Sequence, residues 1–331
     1  MMLPSFGRRF PYPEFIVAMI ETANLTKKYG DLIALDNLNL SIEAGECFGF
    51  IGPNGAGKTT TIQILATLLK PTWGEARVDG KTIGYQNNLI RPLIGYVPDF
   101  MGAYEEMTVS EYLEFFAACY GIHGNERFRA VHDVLELTDL RRKSSTEVNG
   151  LSRGMQQRLS VARVLLHNPK VLFMDEPNSG LDPRARIEMR ELLKELLRMG
   201  KTILISSHIL PELAELCTSV GILERGKLVF AGSMKDVLSR AHLGTLVKIV
   251  VDERPEAAAE LLRKVNGVSL VELKNSEGVT RIEVTLDSDT AVSVSDLPNR
   301  LITAGFRINS MQQAEADLET AFLRLTKGLV A

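Results

Sequence analysis

The fold of this chain is decided by the stretch Cys47-Phe48-Gly49-Phe50-Ile51-Gly52-Pro53-Asn54-Gly55-Ala56-Gly57-Lys58-Thr59. Its first five residues predict a short buried parallel strand, and the rest fits the G-x-x-x-x-G-K-[ST] pattern at every fixed position. The glycines let successive backbone N–H groups turn inward toward phosphate groups, beside the positive end of a helix that begins near Lys58. A glycine-rich turn that contains Lys-Thr by chance is disfavoured, because a strand precedes the loop and a helix follows it.

This phosphate loop predicts a bound nucleotide and a magnesium ion. Lys58 adds a full positive charge beside the β- and γ-phosphates, and the Thr59 hydroxyl offers an oxygen ligand to Mg²⁺. The residues that we expect to hold the nucleotide here are Gly52, Pro53, Asn54, Gly55, Ala56, Gly57, Lys58, Thr59 and Thr60.

Two carboxylates follow a second apolar strand, Val171–Met174. They lie at the carboxyl edge of the predicted sheet, where α/β proteins bind ligands. We expect Asp175 to interact with Mg²⁺ and Glu176 to polarise the water that attacks the γ-phosphorus. A strand that ends in Asp-Glu is weak evidence alone, since acidic residues often end strands. The phosphate loop is what gives these two residues their meaning.

A third predicted strand, Thr202–Ser206, delivers Ser207 and His208 to the same edge. A histidine in that place can hydrogen-bond a γ-phosphate oxygen, so we predict a catalytic role for His208 together with Lys58 and Glu176. The alternative is a histidine that only satisfies local structure.

In their order, these segments resemble the nucleotide-binding subunit of ABC transporters over roughly residues 18–235. Residues 151–158, Leu-Ser-Arg-Gly-Met-Gln-Gln-Arg, look like the signature segment that distinguishes that family from other phosphate-loop ATPases. The resemblance implies that Ser152, Gly154 and Gln156 form a second anion cradle for the triphosphate held by another subunit.

The same resemblance implies three further roles. Ser179–Asp182 looks like the family's D-loop at the dimer interface, and His208 matches its switch histidine. Tyr29 stands where an aromatic ring stacks on adenine, although a tyrosine alone is more often a packing or surface residue.

Two departures from the family pattern occur. In Ile94–Asp99, which resembles the Q-loop, Asp99 stands where glutamine is usual; a carboxylate can still ligate Mg²⁺, so we count Asp99 with Thr59 and Asp175 as a predicted metal ligand. In the signature segment, Arg153 and Met155 replace the more usual glycine and glutamine.

Composition excludes several classes of protein. The 331 residues carry 38 basic and 41 acidic side chains, so no overall positive field attracts nucleic acid. Three widely spaced cysteines predict buried thiols in a reducing compartment instead of disulfides or a zinc site. No run approaches the ~18 apolar residues of a membrane helix, and the first 17 residues lack the features of a signal peptide.

The predicted fold class is α/β: a phosphate-loop NTPase (ABC ATPase) domain with an antiparallel β subdomain and a helical subdomain, followed by a small α+β ferredoxin-like domain. We place a flexible leader at residues 1–17, the ATPase domain at 18–240 with its helical subdomain at about 100–165, and the accessory domain at 241–331.

The first helix of the helical subdomain begins with a capping box at Thr108–Glu111, and a second predicted helix lies near Ala130–Leu137. The first helix carries an apolar stripe of Val109, Tyr112, Leu113, Phe116 and Tyr120. A surface near Phe100, Met101, Tyr104 and Glu105 resembles the place where ABC ATPases receive a membrane subunit.

The accessory domain has a predicted β-α-β-β-α-β order, which is typical of a ferredoxin-like unit. The expected elements are strand 245–251, helix 255–265, strand 268–274, strand 279–286, helix 292–304, strand 306–311 and a final helix near 316–326. Residues 317–326 look like the end of bacterial drug- and polysaccharide-export ATPases. Regulation and dimer stabilisation are both open as roles for this domain.

We therefore predict an ATPase subunit that binds ATP and Mg²⁺, pairs head to tail with a second copy, and drives transport, by resemblance export, through a separate membrane permease on the cytoplasmic face of a bacterial membrane. The rival hypothesis is a soluble ABC-type ATPase that remodels a ribosome- or DNA-associated complex. One phosphate loop, no heptad run and no basic stripe disfavour it. A pseudo-ATPase is disfavoured by Lys58, Asp175 and Glu176, while Asp99 keeps it open.

Overall fold

The computed structural model describes residues 18–100, 102, 106–208, 210–234, 236–237, 246–276, 279–286 and 293–314. The predictions that lie outside these residues are the leader at 1–17, the boundary at 240/241, the final helix near 316–326, and Met101, Tyr104 and Glu105. By their contacts the described residues form two compact units: one holds those within 18–48, 54–206 and 225–227, and the other holds those within 49–53, 207–224 and 228–314.

The first elements of the chain build an antiparallel sheet and the phosphate-loop helix. In chain order they are β1 (Ile20–Tyr29), β2 (Leu32–Ile42), β3 (Cys47–Ile51), α1 (Lys58–Leu65), β4 (Trp73–Val78), β5 (Lys81–Thr82), α2 (Asn87–Ile90) and β6 (Ile94–Val97). The antiparallel sheet has the order β2-β1-β4-β5. Leu38, Leu40 and Ile42 alternate with exposed residues, so one face of β2 is buried. This sheet confirms the predicted antiparallel β subdomain.

The helical segment contains α3 (Val109–Cys119), α4 (Gly124–Leu137) and α5 (Arg153–Leu165). The predicted capping box is confirmed, since the Glu111 N–H donates to Thr108 Oγ1 at 3.3 Å and the Thr108 N–H donates to Glu111 Oε2 at 2.8 Å. Val109, Tyr112 and Leu113 are buried, as the apolar stripe predicts, whereas Tyr120 at its end is 41% exposed. The second helix begins six residues before the predicted start at 130. The prediction is late because the first turns of the helix carry polar residues and show no apolar period.

The strand that ends in Asp175 pairs in parallel with both of its neighbours in the sheet. The elements here are β7 (Val171–Asp175), α6 (Pro183–Arg198), β8 (Thr202–Ser207), α7 (Leu210–Ala214), β9 (Ser219–Glu224) and β10 (Lys227–Ser233). They join a six-stranded sheet with the order β10-β9-β3-β8-β7-β6. All five residues of β7 are buried, and Asp175 is in register with Ser206 of β8. The carboxyl ends of β7 and β8 therefore meet at one edge, as the sequence predicts.

The last described elements form an α+β fold. They are β11 (Leu246–Val251), α8 (Pro255–Arg263), β12 (Val268–Ser276), β13 (Val279–Leu286), α9 (Asp296–Thr303) and β14 (Ile308–Ala314). The antiparallel sheet has the order β12-β13-β11-β14, which with two helices on the β-α-β-β-α-β path is the ferredoxin-like arrangement. Leu262, Leu297 and Leu301 from the helices are buried against Ile249 and Ile282 of the sheet. The predicted strands and helices up to residue 314 are confirmed with small shifts of their ends.

A membrane-spanning helix was not expected from the sequence. Among the residues that the structure describes, no helix combines the length and the apolar content needed to cross a bilayer.

Candidate functional site

The start of α1 is fixed by the backbone of Gly57. This residue has φ 106°, and a Cβ there would lie 2.7 Å from Leu35 Cδ2 and 2.8 Å from the Ala34 carbonyl oxygen. Any side chain would therefore be strained and would also collide with β2. Glycine at this position sets Lys58 and Thr59 in the first turn of the helix, where the N–H groups and the helix dipole favour an anion.

Lys58 and Glu176 form an ion pair in a largely buried setting. Their Nζ and Oε1 atoms lie 3.3 Å apart, and the two side chains are 5% and 16% exposed. Glu176 has φ 49°, an unfavourable left-handed conformation for a glutamate, and its N–H donates to Ser206 Oγ at 3.0 Å. A buried charge without a partner is strongly destabilising, so the Glu176 carboxylate stays close to the Lys58 ammonium group, which is expected to contact the phosphates.

Asp175 faces different partners from Glu176, as expected for neighbouring residues at a strand end. Its Oδ1 atom accepts hydrogen bonds from Thr59 Oγ1 at 3.1 Å and from Ser206 Oγ at 2.7 Å. Asp175 is buried, whereas Thr59 is exposed. Among the described residues there is no cluster of three or more His, Cys, Asp or Glu side chains that could hold a metal by itself. The oxygen donors of Thr59 and Asp175 therefore suit a hard cation whose other ligands come from phosphates and water.

Tyr96 of β6 lies within the electrostatic reach of the two predicted metal-binding carboxylates. Burial raises the pKa of its phenol above the ordinary value, and the negative charges of Asp175 and, less strongly, Asp99 raise that pKa further. A hydrogen bond with Gln63 lowers the pKa in part. Tyr96 is therefore a neutral hydroxyl at physiological pH.

The signature segment forms the beginning of α5. Ser152 caps this helix, and its Oγ atom accepts the Met155 N–H at 3.3 Å. Gly154 is buried against α6, since a Cβ there would lie 2.5 Å from the Cβ of Ala185. Ser152, Gly154 and Met155 line an open cleft of about 800 Å³ together with residues of α6. The Nε2 atom of Gln156 donates to the Val148 carbonyl oxygen at 3.3 Å, and its role in the predicted cradle stays a prediction.

Asp99 follows β6 and is paired with a residue of the signature segment. Its Oδ1 atom lies 3.8 Å from an Arg153 guanidinium nitrogen, and the two side chains are 53% and 55% exposed. The sequence predicts Asp99 as a metal ligand, and that role stays a prediction.

Tyr29 and His208 are both accessible. Tyr29 ends β1, is 46% exposed, and has the Lys27 Nζ atom 5.0 Å from its ring centroid. His208 directly follows β8 and is exposed. Adenine stacking by Tyr29 and phosphate contact by His208 stay predictions.

Comparisons with known proteins agree with these motifs. A family model described as ABC transporter matches residues 35–179. The linearmycin resistance ATP-binding protein LnrL of Bacillus subtilis is 33% identical over 312 residues, which cover 93% of this chain and 98% of that protein. The chain belongs to the ABC transporter ATP-binding proteins. A second member, the Nod factor export ATP-binding protein I of Rhizobium sp. strain N33, is 33% identical over 93% of this chain and 96% of its own length.

Solved structures of ABC ATPase subunits share the fold. CbiO1 from Clostridium perfringens, part of the ABC transporter complex CbiONQ, has a TM-score of 0.62 and 29% identity over 68% of this chain and 95% of its own. The ATP-binding cassette MJ0796, in a dimeric post-hydrolysis state with ADP and Pi, has a TM-score of 0.58 and 28% identity over 65% of this chain and 99% of its own. This ABC transporter subunit therefore binds and hydrolyses ATP, and such subunits act as dimers with membrane permease partners.

Two polar residues near the site were missed by the sequence. Ser206 donates to Asp175 and accepts the Glu176 N–H. Its position at the end of the predicted strand Thr202–Ser206 could have indicated this role, because the parallel register places it beside Asp175. Arg158 is buried and bridges the Thr138 carbonyl oxygen at 3.0 Å to Glu188 at 3.3 Å. No local pattern identified this role of Arg158.

Proposed function

We propose that two copies of this chain close head to tail around two ATP molecules, each held between the phosphate loop of one copy and the signature segment of the other. The observation that carries the proposal is a pair of contacts at the start of α1, Lys58–Glu176 at 3.3 Å and Thr59–Asp175 at 3.1 Å. They bring together the Lys58 cation, the proposed base Glu176 and oxygen atoms that suit a metal ion. Ser152 and Gly154 line an open cleft at the start of α5, where the helix N-terminus would supply a second anion cradle for a partner's phosphate.

Mg²⁺ would be held by the Thr59 hydroxyl and, directly or through water, by Asp175. Their oxygens fit a hard cation, which would neutralise phosphate charge in this place. The predicted third ligand, Asp99, is not part of this proposal, because its carboxylate is already paired with the Arg153 guanidinium group.

Glu176 would act as the base in hydrolysis. Its carboxylate would accept a proton from the attacking water, while the adjacent Lys58 ammonium would move from a carboxylate partner toward phosphate oxygens. His208 would hydrogen-bond the γ-phosphate, and the exposed ring of Tyr29 would stack on adenine.

The transport direction that we propose is export, at the cytoplasmic face of the membrane, with no nucleic acid as partner. The support is the similarity over nearly the whole chain to subunits named for linearmycin resistance and Nod factor export. Phe100, which is 80% exposed, belongs to the surface that would receive the permease.

The test is Glu176→Gln. This variant should bind ATP, turn over roughly 10²–10⁴-fold more slowly through loss of a general base, and form a nucleotide-dependent dimer in size-exclusion chromatography with light scattering. Arg198→Gln, which removes an exposed ion pair with Glu195, is the matched control and should behave as wild type.

Wild-type turnover in Glu176→Gln, or a monomer at saturating ATP, would contradict the proposal. A polytopic membrane protein that co-purifies with the full chain would support the transport role. A co-purifying ribosome would favour the macromolecular-remodelling alternative instead.

A further inference from the structure

The two departures from the family's motifs contact each other. Asp99 replaces the glutamine of the Q-loop and Arg153 replaces a glycine of the signature segment, and their side chains form an ion pair at 3.8 Å. Each substitution alone places an unusual charge beside the site. Together they make a neutral link between two segments that are far apart in sequence.

The same guanidinium group also covers the D-loop. A Cβ added to Gly180 would lie 2.5 Å from Arg153 Nη1 and 2.6 Å from its Cζ, so the planar group lies directly on the glycine backbone. Gly180 has φ 67°, which makes any other residue there strained as well. Arg153 therefore contacts Asp99 on one side and the turn that leads from Glu176 to α6 on the other.

Neighbouring contacts hold the same three segments together. One helical turn after Arg153, the buried Gln157 donates from Nε2 to the Pro98 carbonyl oxygen at 3.4 Å. Gly154 packs against Ala185 at the start of α6. The start of α5 is thus the common support of the Q-loop and the D-loop.

We propose that Arg153 is a positioning residue that, through its ion pair with Asp99 and its packing on Gly180, sets the Q-loop and D-loop relative to the signature segment within one subunit. The role rests on the proposed function, because these are the segments that would meet the partner's nucleotide. Asp99 acts here through Arg153, and not as a magnesium ligand.

The experiment is a double-mutant cycle with Asp99→Asn, Arg153→Gln and the double variant in the full chain. Because exposed ion pairs contribute little, we expect each single change to lower the ATPase kcat by about 2- to 5-fold. The KM for ATP and the apparent dissociation constant for Mg²⁺ should be unchanged. The double variant should be no slower than either single one. The coupling should fade at ~1 M salt, where the screening length is about 3 Å.

Conservative variants separate positioning from simple stability. Asp99→Glu keeps the charge and should retain more activity than Asp99→Asn, while Arg153→Lys keeps the charge but loses the planar contact with Gly180 and should be intermediate. Melting temperatures should be close to wild type throughout, because the pair is half exposed. Arg198→Gln is again the matched control.

Two results would overturn this assignment. Effects of the single changes that multiply in the double variant would show that Asp99 and Arg153 act independently. A raised Mg²⁺ requirement for nucleotide binding in Asp99→Asn, measured by fluorescent ATP-analogue titration and absent in Arg153→Gln, would make Asp99 a metal ligand. If Glu176→Gln traps no dimer, the proposed function fails; if it traps one while the cycle is additive, only the positioning role fails.

Discussion

Replacing Gly154 with alanine tests how closely α5 and α6 are packed. The new Cβ would lie 2.5 Å from the Cβ of Ala185, whereas carbon atoms in ordinary contact are about 3.5–4.0 Å apart. The shortfall is about 1–1.5 Å. Neither atom can rotate away, because a Cβ is fixed to its backbone. Relief requires the starts of the two helices to separate.

Two opposing terms decide the sign of the change in the free energy of unfolding. Alanine in a helix is about 1 kcal/mol more favourable than glycine, whereas overpacking a tight contact costs about 1–3 kcal/mol. The collision involves two atoms fixed to backbone, so its cost lies in the upper part of that range. We expect Gly154→Ala to lower the free energy of unfolding by about 1–2 kcal/mol.

The assay is urea unfolding of Gly154→Ala, Ala185→Gly and the double variant. Ala185→Gly alone should cost at most about 1 kcal/mol. In the double variant the methyl group moves from α6 to α5, so the collision disappears and the protein should be more stable than Gly154→Ala. The matched control is Gly150→Ala, whose Cβ would lie 3.6 Å from Thr146 Cγ2 in ordinary contact and should change little.

Refutation would take either of two forms. Gly154→Ala could equal or exceed wild type in stability, which would mean that helix propensity dominates and the contact is loose. Alternatively, the double variant could lose the sum of the two single losses, which would mean that the two positions do not interact.

Two further predictions concern buried polar groups. Burial holds the pKa of His167 below its ordinary 6.5, so the folded state resists protonation and the free energy of unfolding should fall as pH drops from about 6.5 through the folded pKa. His167→Gln, which keeps a donor for the Ile94 carbonyl oxygen, should show a smaller loss between pH 7.5 and 5.5 in urea unfolding; an unchanged pH dependence would contradict the assignment. Arg158→Met should lower the free energy of unfolding by about 1–3 kcal/mol, since the buried Thr138 carbonyl oxygen loses its donor while Glu188 keeps its ion pair with Arg184, and a loss no larger than in Arg198→Gln would refute this.

Features with a local cause could be predicted from the sequence. The strand Cys47–Ile51, the turn at Gly57 and the capping box at Thr108 each depend on residues within a few positions of one another. The start of α4 at Gly124 has no such local signal, because the first turns of the helix carry no apolar period. Packing of the later residues Val131 and Leu135 stabilises these turns, so the sequence predicts a start that is too late.

The sequence by itself determined the phosphate loop, the strands that end in Asp175 and at Ser206, and the ferredoxin-like order of the last domain, because backbone conformation and apolar periodicity are written in neighbouring residues. Only the tertiary structure decided that Asp99 pairs with Arg153 and that Gly154 lies against Ala185. These contacts join residues 54 and 31 positions apart. Their partners are chosen by how helices and strands pack in three dimensions, and no local pattern in the chain specifies that choice.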